Sequence, residues 1–443
     1  MPSGRFHALV LLLLLAVARV QATVEVAEFG EVAEFNDAVE FDEVAEEDVD
    51  PDVGKNAPEI IAARGYDVET HKVTTSDGYI LTMHRLPKSY AESQSGADAA
   101  ANKPAVILQH GVIESSFAWV CNFRNQSLAF ILADAGYDVW LGNNRGNTYS
   151  NESLYYTTDD DEFWDFSWED MGLYDLPAMI NYALDTSGRS TLSFVAHSQG
   201  VSQALVGFSA NQTLAKSVSY FGAMAPVSWL GHTEAELFVA LADVHLDELF
   251  ETLGVVQFLP HSEILTEFLA GYTCTAIEEI CGNAISLLFG TTTSLNVSRV
   301  PVLISQTPAG TSVKDVAHYA QGIRADTFAS YDYGCSCLQI LGLSLCSSLI
   351  CPNKAKYGSF DPPAFALGDM VYPRTGLYMG ALDTLTVTTD LDQLRAALPS
   401  GTVVHEQTID IYSHLDFIWA YNANEYVYQD LIAQMVEYEG VTY

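Results

Sequence analysis

Positive charge is what this 443-residue chain most lacks: 19 lysines and arginines stand against 57 aspartates and glutamates, a formal net charge of −38. Proteins grip phosphate backbones with clustered cations, so nucleic acid is excluded as a partner. Beyond the first residues, no stretch reaches the roughly 20 uninterrupted apolar residues of a spanning helix, which excludes a transmembrane segment there and leaves a surface to meet lipid. Cysteine is scarce as well. There are seven, and the odd number leaves at least one unpaired within the chain, for which Cys121 is the candidate. Cys335-Ser-Cys337 lacks the two-residue gap of a zinc site and has no histidine near enough to complete a tetrahedral set, which argues against a metal.

Arg5 precedes an apolar run from Ala8 to Ala16, and small residues follow at Val20-Gln21-Ala22. That pattern predicts a secretory signal over residues 1–22, too short for a membrane anchor. Sequons at Asn125, Asn151, Asn211 and Asn296 agree with passage through an oxidising, glycosylating lumen, secreted or lysosome-like. There Cys274 and Cys281 are expected to form a short-loop disulfide, and Cys335, Cys337, Cys346 and Cys351 two local bridges of undecided connectivity. Residues 23–54 repeat variants of Glu-Val-Ala-Glu-Phe without a lysine or arginine, which predicts a disordered or removable pro-like segment. Carboxylate repulsion is relieved on protonation, so the acidity suits an acidic compartment; a salty one would explain it equally well.

Ordered structure is expected from about Pro58, with a hairpin whose turn is Ser76-Asp77-Gly78 and a second strand Tyr79 to Arg85. A polar linker from Ser89 to Lys103 follows. Short apolar runs then recur at Ala105–Gln109, Tyr137–Leu141, Leu192–Ala196, Val218–Ala225 and Gly376–Ala381, with helical stretches between them and a last strand from Thr402 to Ile411. Apolar strands alternating with helices predict an α/β fold with a mostly parallel sheet covered on both faces. Residues 55–226 and 373–443 form this core. The rhythm lapses over 227–372, where helix-like segments such as Ala235–Leu253 and Ile264–Leu269 predict an inserted, mainly helical cap with a cysteine-rich stretch at 335–351.

The strand Leu192–His197 runs into Ser198-Gln199-Gly200 and then a helix-compatible segment, the pattern of a nucleophile elbow that lifts a serine above the sheet edge. Small residues must flank so tight a turn, and Ala196 and Gly200 provide them. A serine hydroxyl needs a base and the base an orienting carboxylate; chain order on this fold makes Asp383 the acid and His414 the base, each just past an apolar strand. Asp390 and Asp392 are reserve acids that read better as a helix cap and surface. His197 adjoins the serine, but alternation points its ring away, and His405 sits mid-strand; both read as structural. An oxyanion needs two preorganised donors, expected from the backbone amides of Gln199 and of Val112 in His110-Gly111-Val112.

Several blocks resemble one family, the acid lipases typified by gastric and lysosomal acid lipase: Thr75–Leu81, Leu108–Val112 with Ser116–Trp119, the long stretch Asn125–Ser150, Phe163–Trp168, Pro308–Ser312, Tyr331–Gly334 and His414–Ala420. The resemblance runs from Pro58 to the C-terminus. It implies a capped α/β-hydrolase acting on triacylglycerols or steryl esters in an acidic lumen without a cofactor, with Ser198, Asp383 and His414 as triad and Val112 and Gln199 as oxyanion amides. Departures are Ala196 where the family has glycine, Val112 where leucine is common, the segment Cys335–Cys351 and the acidic leader. The rival readings are a short-chain carboxylesterase or acyltransferase with the same triad, and a lipid-binding protein that has lost catalysis. Oligomeric state is not legible.

Overall fold

Gly78, at φ +96°, turns the chain between β1 (Glu69–Thr74) and β2 (Tyr79–Leu86), which pair antiparallel as the Ser-Asp-Gly signal predicts. The computed structural model describes residues 50–443 apart from 244, 246–249, 251–253, 261–289, 336–337, 341–342 and 346–350. The expected helix Ile264–Leu269, the pair Cys274–Cys281, the signal segment and most of the acidic leader lie outside the described residues.

The remaining main strands are β3 (Ala105–Gln109), β4 (Asp138–Leu141), β5 (Leu192–His197), β6 (Val218–Met224), β7 (Arg374–Gly380) and β8 (Val403–Ile409). They add to the hairpin in the order β1-β2-β4-β3-β5-β6-β7-β8. From β4 to β8 every neighbour pair is parallel. Alternate residues serve opposite faces. Val106, Leu108 and Val195 pack with Phe130, Phe417 and Leu431 on one side, while Ile107, Phe194 and Phe221 pack with Leu176, Ile180 and Phe208 on the other. Because the strands run the same way, their C-terminal ends and following loops share one edge.

Two expectations need correction. The supposed linker after Ser89 contains a helix, Tyr90–Ser95, started by a capping box in which Ser89 accepts from the Glu92 amide and Glu92 accepts from the Ser89 amide at 2.7 Å. The acidic segment is not solvated to its end either. Asp50 and Asp52 reach Arg299, a guanidinium with no exposed side-chain surface, at 2.9 and 2.7 Å, and Arg299 also donates to the Cys121 carbonyl at 2.6 Å. A buried cation needs partners, and residues of the leader supply them.

Between β6 and β7 the chain leaves the sheet. Among the described residues this insertion carries helices Glu236–Asp243, Val300–Ile304, Val313–Ala325 and Pro352–Tyr357 with two small antiparallel ribbons. A disulfide joins Cys335 to Cys351, which decides one pairing in the cysteine-rich stretch. Cys121 is unpaired and buried, and burial pushes its thiol up to about 12. No helix among the described residues is long and apolar enough to cross a membrane.

Burial pushes the Asp52 carboxyl up, but Arg64, Arg299 and Lys55 outweigh it and bring it down to about 2. A carboxylate depressed from its ordinary 3.8 contributes stability that is fully present above that value and lost as pH falls through about 2. Asp52→Ala is therefore expected to lower the unfolding free energy by about 3 kcal/mol in urea titrations near neutral pH, the cost of stripping a partner from a buried ion. The gap to wild type should close between about pH 4 and pH 2.

Candidate active site

Strand β5 ends at His197, and the helix Gln199–Ala210 begins two residues later, so Ser198 alone makes the turn. Its backbone takes φ 55° and ψ −121°, a conformation that side chains disfavour, and its amide donates to the Met224 carbonyl at 3.1 Å. Gly200 is required there: a methyl would sit 2.7 Å from the Gln109 carbonyl oxygen and 2.9 Å from that of His110. It would also lie 3.2 Å from Ala196 Cβ, so alanine is tolerated at position 196 because position 200 has no side chain.

The Ser198 hydroxyl lies 2.8 Å from His414 Nε2, and His414 Nδ1 lies 2.9 Å from Asp383 Oδ2. Residues separated by 216 and 31 positions thus form one continuous hydrogen-bonded chain. Asp383 follows β7 and is held by its own loop: the amides of Leu385 and Thr386 donate to Oδ1 at 2.9 and 3.0 Å, and the Thr386 hydroxyl to Oδ2 at 2.6 Å. Burial pushes this carboxyl up, but the His414 ring and the Thr386 hydroxyl and amide outweigh it and hold it below the ordinary carboxylate range. The site therefore contains a charged acceptor, an imidazole whose tautomer that acceptor fixes, and a hydroxyl on the ring's other nitrogen.

The other expected residues fall as follows. Asp390 is buried in the helix Thr388–Ala397, where it takes the His232 ring at 2.8 Å, and Asp392 is an exposed partner of Arg395; neither touches His414. Asp390 is not the helix cap, a position occupied by Val387. The His197 ring turns from the serine and donates from Nε2 to the His414 carbonyl at 2.9 Å. His405 faces Asp430 at 2.7 Å. Asn125, Asn151 and Asn211 are exposed and Asn296 is half-buried.

Sequence reasoning passed over His110. Its Nε2 accepts from the Asn144 amide at 3.1 Å, so the proton sits on Nδ1, which donates to the Gly111 carbonyl at 2.7 Å. Burial lowers the ring to about 4, keeping it neutral in this role. In a trans peptide the carbonyl and the next N–H point in opposite directions, so His110 fixes the direction of the Val112 amide from behind. Gln199 is the first residue of its helix, where the N–H has no intrahelical partner. Val112 and Ser198 both border a cavity of about 110 Å³ whose other walls, including Leu230, Phe238, Phe250, Phe258 and Leu385, are almost wholly apolar.

The model of the partial α/β-hydrolase lipase region matches residues 57–123, and that of the α/β hydrolase fold matches residues 104–421. Human gastric triacylglycerol lipase is 37% identical over 87% of this chain and 92% of its own length. Rat lysosomal acid lipase/cholesteryl ester hydrolase is 38% identical over 88% of this chain and 94% of its own. A crystal structure of a Sulfolobus solfataricus protein shares the fold at 12% identity, with a TM-score of 0.51 over 84% of this chain and 94% of that one. The chain belongs to the α/β-hydrolase fold family and, within it, to the lipases represented by the gastric and lysosomal acid enzymes.

Proposed function

We propose that the protein hydrolyses carboxylic esters of lipids, triacylglycerols or steryl esters, through an acyl-enzyme on Ser198. The observation that carries this reading is the hydrogen-bonded run from Ser198 through His414 to Asp383, opening into an apolar cavity. His414 Nε2 takes the Ser198 proton as Oγ attacks the ester carbon, and Asp383 stabilises the imidazolium that forms. The amides of Val112 and Gln199 receive the carbonyl oxygen as it becomes an oxyanion. His414 then hands its proton to the departing alcohol, and water, activated by the same ring, releases the fatty acid.

The apolar walls favour an acyl chain over a polar substituent at the carbonyl carbon. The relatives, a gastric triacylglycerol lipase and a lysosomal acid lipase/cholesteryl ester hydrolase, support the same substrate classes and a destination in the secretory pathway. Substrate meets the enzyme at an oil-water or membrane surface, and no cofactor enters the steps.

Ser198→Ala is expected to abolish covalent labelling by a fluorophosphonate and to cut ester hydrolysis by about 10⁴-fold or more, with the circular dichroism spectrum unchanged. Turnover at the wild-type rate would reject the nucleophile. Asp383→Asn should cost about 10⁴-fold in kcat, whereas Asp390→Asn should stay within about threefold of wild type; the reverse outcome would move the acid to Asp390. Emulsified long-chain triacylglycerol or cholesteryl ester should be cleaved at least about tenfold faster than a soluble acetyl ester at equal enzyme. Preference for the acetyl ester would make the protein a short-chain carboxylesterase.

A further inference from the structure

A carboxylate lies buried against the nucleophile and has no part in the scheme above. Glu114, with 6% of its side chain exposed, accepts from the Gly111 amide at 2.8 Å and lies 3.5 Å from His197 Nδ1. The packing is close: a methyl at Gly111 would lie 2.8 Å from Glu114 Oε2, 3.1 Å from Ser198 Cβ and 3.3 Å from His197 Nδ1. His197 in turn donates from Nε2 to the His414 carbonyl, and the two imidazole centroids are 5.0 Å apart. Glu114 and His197 therefore join three parts otherwise distant in sequence: the loop bearing Val112, the elbow bearing Ser198 and the turn bearing His414.

An isolated carboxylate at this place would be doubly unfavourable. Desolvation penalises it, and its negative charge would oppose the oxyanion that forms a few ångströms away. Burial does push the Glu114 carboxyl up, but the His197 ring and the Gly111 amide outweigh it and leave it below the ordinary carboxylate range. The charge is thus retained, and beside it lies a ring that presents one nitrogen to the carboxylate at 3.5 Å and the other to a carbonyl.

We infer that Glu114 and His197 form a buried ion pair that positions the oxyanion loop: Glu114 fixes the Gly111 amide, and His197 cancels the charge of Glu114 while bracing the His414 turn. The pair acts through Val112 and His414 rather than on the ester, so both are positioning residues. Together with His110 on the Gly111 carbonyl, the pair leaves Gly111, the residue before Val112, held at both its amide and its carbonyl. The inference rests on the assignment of Val112 as an oxyanion donor.

The test is a double-mutant cycle read as kcat and KM on a soluble ester, with fluorophosphonate labelling rates and thermal melting measured on each protein. Glu114→Gln keeps an oxygen for the Gly111 amide and removes the charge; its kcat should remain within about fivefold of wild type, as expected for one neutral hydrogen bond replacing a charged one. Glu114→Ala removes both and should lose about 10- to 100-fold in kcat with KM within about twofold, the signature of a lost oxyanion contact. His197→Gln leaves the carboxylate unbalanced and should be slower than the double variant His197→Gln/Glu114→Gln, in which the charge is gone. A purely structural pair gives the opposite order, because two packing losses add. Wild-type kcat in Glu114→Ala, or a double variant no faster than His197→Gln, overturns the inference. If Glu114→Ala does not fold, the two glutamine variants still decide. Should wild-type protein escape labelling at Ser198, the hydrolase reading itself fails; labelling with an unresponsive cycle removes only the role of Glu114 and His197.

Discussion

The backbone of Ser198 is the constraint around which the site is arranged. A non-glycine residue at φ 55° costs of order 1–3 kcal/mol, and it persists only where neighbours leave no alternative. Here the Met224 carbonyl holds the serine amide, and the bare Cα of Gly200 lets the helix descend against the carbonyls of Gln109 and His110. That approach does more than satisfy the turn. It brings the end of β3, with its oxyanion loop, beside the end of β5, and register pairing of Gln109 with Ala196 locks the two strands in step. With β7 and β8 parallel to them, Asp383 and His414 arrive at the same edge, and bonds of 2.8 and 2.9 Å close the relay.

Much of this was legible in the residues because its signals are local. Apolar runs bounded by turns marked every main strand to within a few positions, and the serine between a buried strand and a small-residue turn marked the elbow. Order along the chain then separated Asp383 from Asp390: an aspartate directly after a strand end reaches the shared edge, while one inside the next helix points into its packing and meets His232. What escaped depends on partners far away in sequence. His110 looks like any histidine until Asn144, 34 residues on, fixes its tautomer, and Glu114 looks like a surface acid until His197 arrives beside it. The Thr386 hydroxyl that supports Asp383 carried a readable signal in its three-residue spacing, the pattern of an Asx turn.

Among the described residues, a chain so poor in cations also buries two arginines. Arg145 has 2% of its side chain exposed and lies between Asp77 of the hairpin turn and Asp175, at 2.6 Å from each, with the Tyr79 ring 3.9 Å from its guanidinium carbon. Arg299 ties the cap insertion to Asp50, Asp52 and the Cys121 carbonyl. Neither arginine contributes to a positive surface. Both act as internal rivets whose carboxylate partners come from distant segments, so the surface keeps an excess of acids while each of these two buried cations is matched.

The Arg299 contacts set a limit on how the leader can be trimmed. A chain that begins upstream of Asp50 keeps both carboxylates on Arg299. A cut a few residues further on would carry away both carboxylates and strand a guanidinium with no exposed side-chain surface between cap and core. Interior electrostatics thus tie the cap to the first two carboxylates of the described chain, and any start downstream of Asp52 forfeits them.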